Sequence, residues 1–261
     1  MLNFRNTNIL FILLFAALAV VQYFNGFDLS WFIALLLLYS AVLFYGSFYI
    51  HSNFFLKAHC SGKTNDKIIA LTFDDGPAPE FTLQILEILK KNEVNATFFL
   101  IGENAEQNPH LVKQIISDGN LVGNHSYVHG TWFDLQSAKK MKAEMQQTHH
   151  LVHQIAGRQM NWFRPPYGVT NPHVKKAVKG MGYNLIGWNV RSFDTAIQSP
   201  AKLLKRLKDM LKPGVVILLH DTQKTTLEVL PDFLQYVKEQ QYKVVPLDKL
   251  LDLRAYKKDD R

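Results

Sequence analysis

The chain has 261 residues, 48% of them hydrophobic and 20% charged, with a formal net charge of +7, enough for one large domain or one domain with a small appendage. Its single cysteine, Cys60, excludes an internal disulfide framework and any multi-cysteine zinc site, while ten histidines leave a histidine/carboxylate metal site open. The averages conceal a split: residues 1–56 carry only Arg5 and Asp28 as charged side chains, so all of the positive excess lies beyond them, which argues against a purely soluble protein.

Within 1–56, residues 9–24 are apolar apart from Gln22, and residues 31–50 apart from Ser40, Gly46 and Ser47. About 20 mainly apolar residues cross a hydrocarbon core; the second segment meets that length and the first falls slightly short. Asn25-Gly26-Phe27-Asp28 reads as a turn between them, so a transmembrane helical hairpin is expected, with Trp31, Tyr39, Tyr45 and Tyr49 supplying candidates for the interface belts. The alternative for the first segment is a signal peptide, with Arg5 as its charged start and Ala17-Leu18-Ala19 as a cleavage site. Arg5 precedes the first span, and Lys57, Lys63 and Lys67 follow the second. Two spans with the positive-inside rule place both ends in the cytoplasm, whereas a single span places the domain outside. The expectation is an integral protein of the plasma or inner membrane, with its sidedness open.

From residue 66 onward, short apolar runs alternate with helical periods. Strands are expected at 67–73, 96–101, 120–123, 160–164, 183–190, 214–219 and 243–247. Helices are expected at 80–91, 109–118, 134–156, 172–180, 200–211 and 225–240, several opening on proline. Regular alternation of this kind predicts an α/β fold with a parallel sheet. About seven units in residues 66–253 predict a distorted (β/α) barrel, with a doubly wound open sheet as the alternative and residues 254–261 as a charged tail.

Function in such folds gathers at the C-terminal ends of the strands. The first strand ends in Thr72-Phe73-Asp74-Asp75-Gly76-Pro77, where adjacent carboxylates would repel unless a cation relieved them, although an Asp-Gly turn alone is commonplace. The third runs into His125-Ser126-Tyr127-Val128-His129, a spacing that suits two ligands of one metal but often means nothing by itself. With Asp75 it offers two nitrogens and one oxygen, leaving open positions as in catalytic zinc sites. The fourth gives Arg164-Pro165-Pro166-Tyr167-Gly168, the fifth leads to Trp188-Asn189-Val190-Arg191-Ser192-Phe193-Asp194, and the sixth ends in Leu218-Leu219-His220-Asp221. Five polar clusters at five strand ends make independent structural coincidences a poor account.

In order, TFDDG, HSYVH, RPPYG, WNVRSFDT and ILLHD resemble the five motifs of the NodB-homology polysaccharide deacetylases, carbohydrate esterase family 4, over about residues 66–253. The resemblance implies a distorted (β/α) barrel and metal-dependent hydrolysis of N- or O-acetyl groups on sugars, a linear-amide hydrolase in the N-acetyl case. It assigns Asp75, His125 and His129 to one divalent metal, zinc first and cobalt or manganese next. Asp74 would be the general base, oriented by Arg164, and His220 the general acid, supported by Asp194. The Tyr167 amide would hold the oxyanion, and Leu218 would line the acyl pocket, with Pro166 and Trp188 also on the substrate side. The fourth motif departs from the family: Arg191 stands where an aspartate is usual and Thr195 where a tryptophan is usual, leaving a wider pocket or a different lining residue.

His149, His150 and His153, beside Lys139, Lys140 and Lys142, read as a solvated helix face. Lys202, Lys205, Arg206, Lys208 and Lys212 form a basic stretch suited to solubility or to anionic lipid, and no recognition motif accompanies the charge to support nucleic-acid binding. The leading expectation is a membrane-anchored deacetylase of an amino-sugar glycan such as peptidoglycan or poly-N-acetylglucosamine, with no obligate protein partner. The alternatives are a deacylase or deformylase of a lipid-linked sugar at the cytoplasmic face, and a non-catalytic glycan-binding protein on the same fold. Two histidines and a carboxylate also occur in non-haem iron oxygenases, but nothing in the sequence points to a redox co-substrate.

Overall fold

The computed structural model describes residues 3–26 and 28–257; Phe27 of the expected turn and residues 258–261 of the expected tail lie outside them. Helix α1 (Phe4–Asn25) starts where the Asn3 side chain accepts a hydrogen bond from the Asn6 amide. It runs 22 residues, longer than the apolar run alone predicts, and α2 (Ser30–Phe48) runs 19. Both are long and apolar enough to cross a membrane. They lie antiparallel, with the Tyr39 hydroxyl donating to Asn8 Oδ1 at 2.9 Å and Phe11 against Tyr39, while most of their apolar side chains face outward.

A 3-10 turn at Ile50–Ser52 then leads into the alternating part of the chain. Its first half comprises β1 (Ala58–His59), β2 (Ile68–Asp74), α3 (Thr82–Lys91), β3 (Thr97–Leu100), α4 (Gly102–Gln107), α5 (Pro109–Ser117), β4 (Leu121–Asn124) and α6 (Ala138–Ala156). The second comprises β5 (Trp162–Phe163), α7 (Pro172–Met181), β6 (Asn184–Ile186), β7 (Val190–Arg191), α8 (Pro200–Asp209), β8 (Val216–His220), α9 (Lys224–Glu239), β9 (Lys243–Val244) and α10 (Leu247–Leu251). The named strands pair in parallel in the order β1-β6-β5-β4-β3-β2-β8-β7, with β9 added at the start of β2. Central strand β2 is buried on both faces, as a helix-covered parallel sheet requires.

The expected strand at 183–190 is two strands, β6 second in this order and β7 last. Gly187, Trp188 and Asn189 join them, and a linker that short reaches at most about 14 Å, so the sheet curls into a (β/α) barrel with a seam. Gly187 N–H bonds His59 O and Asn189 N–H bonds Val216 O across that seam. The bend needs a glycine, because a Cβ at 187 would collide with Cys60 Sγ. Residues 58–62 fill the gap: β1 pairs with β6, Ser61 bridges to Val215, and Gly62 N–H bonds Gly214 O.

Other boundaries shift for local reasons. The helix expected from 134 begins at Ala138, because Ser137 caps it by accepting from the Lys140 amide. The strand expected at 243–247 stops at Val244, and α10 starts directly after Pro246. Ile50, Ala58, Cys60 and Ala255 are all buried in one core cluster, so the packed unit reaches beyond residues 66–253 at both ends.

Candidate active site

Register sets the site. Asp74 and His220 are Cα partners at the ends of β2 and β8, and Asn124, just before His125, pairs with Phe163, just before Arg164. Parallel pairing therefore brings the strand-end motifs to one level at one face. Five non-glycine residues in these loops take left-handed φ values: Asp75 (72°), Ser126 (67°), His129 (54°), Tyr167 (59°) and Phe193 (60°). Each such residue costs on the order of 1–3 kcal/mol and persists only where its surroundings hold it.

Arg164, fully buried, organises one side. Its Nη1 donates to Asp74 Oδ1 at 2.6 Å and to Thr72 Oγ1 at 2.8 Å, and its Nη2 to Gly187 O at 2.9 Å. The guanidinium lies 4.0 Å from the centre of the Phe99 ring. Asp74 is buried with its Oδ1 taken by Arg164, while its Oδ2 stands 3.7 Å from His125 Nε2.

Asp75, His125 and His129 meet beside it. Asp75 Oδ1 lies 3.3 Å from His125 Nε2 and 3.4 Å from His129 Nε2. Those spacings match the edge of a tetrahedron with bonds of about 2.0–2.1 Å, about 3.3–3.4 Å. His125 Nδ1 is 2.7 Å from Arg164 O, a carbonyl that can only accept, so this nitrogen carries the proton and Nε2 offers its lone pair. Asp75 Oδ1 is buried and has no hydrogen-bond partner among the described residues, the condition of a carboxylate oxygen waiting for a cation. The three residues therefore fit a divalent metal. The charges agree: burial pushes His129 down to about 4, leaving a neutral ligand. Burial alone would raise Asp75, yet the histidines clustered around it hold its carboxyl well below the usual range.

His220 faces this cluster from β8, its Nε2 3.9 Å from Asp75 Oδ2. Its Nδ1 is 2.8 Å from Asp194 Oδ1, and its backbone N–H donates to Asp194 Oδ2 at 2.7 Å. Burial opposes the imidazolium, but the Asp194 partner outweighs it and His220 rises to about 9. Asp194 is buried, accepts further hydrogen bonds from the Ser192 and Thr226 hydroxyls, and is held below its ordinary value.

A cavity of about 160 Å³ opens between these groups, lined on its apolar side by Pro165, Trp188 and Leu218 and also bordered by Tyr167, Arg191 and Thr195. Pro165, not Pro166, lines it; Pro166 is buried inside the 3-10 turn Pro166–Gly168, and alternation along the chain turns its neighbour toward the cavity. The Tyr167 backbone N–H has no partner among the described residues. Gly168 lets Trp188 close in, since a Cβ there would overlap the indole.

Two residues gain importance that their motifs alone did not show. Asp221 is fully buried directly under Gly76, accepts from the Thr82 hydroxyl at 2.6 Å, and is pushed up to about 7 by burial. Only its place after His220 could have flagged it. His149 is not on a solvated face: it is half-buried, 2.8 Å from the Tyr183 hydroxyl, and burial lowers it to about 4, whereas His150 and His153 are exposed.

The family model described as "Polysaccharide deacetylase" matches residues 61–186. The peptidoglycan-N-acetylmuramic acid deacetylase PdaA of Bacillus subtilis is 33% identical over 194 residues, 73% of each chain. The crystal structure of the Bc1960 peptidoglycan N-acetylglucosamine deacetylase superposes with a TM-score of 0.71 at 31% identity, covering 76% of this chain and 94% of that one. BA3943 from Bacillus anthracis, a pseudoenzyme of the same carbohydrate esterase family, matches with a TM-score of 0.69 at 33% identity over 75% of this chain and 69% of its own. With its barrel, its five strand-end motifs and these relatives, the chain belongs to the polysaccharide deacetylases of carbohydrate esterase family 4.

Proposed function

We propose that the protein is a membrane-anchored, metal-dependent deacetylase of an amino-sugar-containing glycan, N-acetylglucosamine or N-acetylmuramic acid residues of peptidoglycan first. The observation that carries this is the Asp75–His125–His129 cluster flanked by Asp74–Arg164 on one side and His220–Asp194 on the other. Two nitrogens and one oxygen, with no thiolate, favour zinc. A divalent ion held there would polarise the acyl carbonyl and lower the pKa of the attacking water. With Oδ1 occupied by Arg164, Asp74 has Oδ2 to accept that water's proton. The Tyr167 N–H donates to the oxygen on which charge develops, a contribution of roughly 3 kcal/mol for one such donor. His220, charged below about pH 9 and anchored by Asp194, delivers its proton to the departing amine. Pro165, Trp188 and Leu218 leave room for a small acyl group.

Full-length protein given N-acetylglucosamine oligomers or peptidoglycan fragments is expected to release acetate and free amine in equal amounts. Asp74→Asn and chelation should each abolish release, with zinc restoring the chelated sample. Metal-loaded protein that releases no acetate from any of these would place it with the pseudoenzymes instead. A second reading, deacylation of a lipid-linked sugar, is favoured by the join between anchor and site: Thr170, in the loop after Tyr167, bonds Ser47 O through its amide and Gly46 O through its hydroxyl. A reporter fused to the C-terminus decides between them, since an external domain meets peptidoglycan and a cytoplasmic one does not.

A further inference from the structure

Beyond residue 50, the exposed large hydrophobic side chains among the described residues are Leu83, Val128, Trp132, Leu135, Tyr167 and Phe193, each between 41% and 70% exposed. All six lie at the C-terminal face of the sheet: Leu83 at the start of α3, three in the loop after β4, Tyr167 after β5 and Phe193 after β7. Among the described residues the opposite face contributes none. A soluble protein scatters such residues singly; a rim of them marks a contact surface.

The anchor ends at this same rim. Ser47 and Gly46, in the last turn of α2, hold Thr170 in the loop that carries Tyr167. Exposed Tyr45 and Tyr49 stack at 5.2 Å beside that join, the kind of aromatic pair that settles at the water–lipid boundary. Cations accompany the apolar rim: Arg191 and Arg206 lie 5.0 and 4.7 Å from the centre of the Phe193 ring, and α8 behind them is basic. Apolar and aromatic tips backed by arginine are what an anionic bilayer surface takes.

We infer that the mouth of the catalytic cavity faces the bilayer, with Val128, Trp132, Leu135, Tyr167 and Phe193 seated in the interfacial layer of the membrane that the hairpin enters. The inference rests on the anchored-deacetylase reading and sharpens it: the acyl sugar is taken at the membrane surface, from a glycan or glycolipid lying within reach of the headgroups.

Nitroxide labels on full-length protein test it without catalysis. In a Cys60→Ser background, labels at Trp132→Cys, Leu135→Cys, Leu37→Cys in α2 and Glu93→Cys on the opposite face are measured in nanodiscs of phosphatidylethanolamine and phosphatidylglycerol. Labels at 132, 135 and 37 should collide several-fold more with lipid-dissolved oxygen than with a water-soluble nickel chelate, and the label at 93 the reverse. A lipid-buried 37 with 132 and 135 as nickel-accessible as 93 would overturn this inference alone; a nickel-accessible 37 would overturn the anchor as well. Labels at 132 and 135 shielded only on adding soluble N-acetylglucosamine oligomers would assign the rim to glycan, against the proposal.

Discussion

Arg164 makes three hydrogen bonds from two nitrogens while its flat face covers Phe99. A lysine at this position supplies one compact charge and no fork, so the exchange is not conservative. Arg164→Lys is expected to cost about 1–3 kcal/mol in urea unfolding, since the bonds to Thr72 and Gly187 O cannot all be kept by one ammonium, and to lower kcat about 10²-fold with little change in KM. The His220–Asp194 pair makes a pH prediction for chelated protein. His220 is raised in the fold to about 9, so the stability it supplies is complete below its unfolded value near 6.5 and disappears as pH rises through about 9. Asp194 is lowered, so its share is present above the unfolded carboxylate value and is lost as pH falls through the folded one. The pair should therefore add up to about 3 kcal/mol near pH 6. His220→Asn should flatten the alkaline limb of the plot of unfolding free energy against pH. Residue type and order made Asp74, Asp75, His125, His129 and His220 legible in the sequence, because chemistry of this kind needs particular side chains. Pro165 and Asp221 were not, because which of two prolines faces a cavity, and which aspartate is buried under a glycine, depend on atoms far away in the chain.

At the scale of elements, the loop between β5 and α7 joins the unpartnered Tyr167 amide, the cavity wall and the end of α2. Gly168, at φ 72° with Trp188 where a Cβ would stand, is its most constrained point. Gly168→Ala should cost about 1–3 kcal/mol. It should also reduce activity beyond that loss of folded protein, with metal content unchanged, since the displaced indole enters the acyl pocket. Long periodic helices such as α6 and α9 and the buried runs of β2 and β8 could be read from periodicity. Strand β1 could not, and the strands expected at 160–164 and 243–247 shrink to the two residues of β5 and β9, because the extent of so short an element is set by its neighbour rather than by its own composition.

For the whole molecule, the apolar hairpin and the barrel do not part at residue 66. Ile50, Ala58 and Cys60 belong to the inner core, and β1 closes the seam beside β6. A chain starting at residue 49 should fold, whereas one starting at residue 66 should lose several kcal/mol, at about 1.5–3 kcal/mol for each large apolar side chain removed from burial; urea unfolding of the two truncations compares them. The sequence by itself determined two apolar segments, the second of full membrane length and the first slightly short of it, a parallel α/β alternation and five motifs in family order, because period, length and side-chain type are local properties. Only the tertiary structure decided that three donors from two strand ends stand within metal-ligand range, that one expected strand splits across a barrel seam, and that the second apolar helix ends on the rim of the cavity. Those are distances between residues tens to more than a hundred positions apart, set by strand register and by where glycine permits close approach.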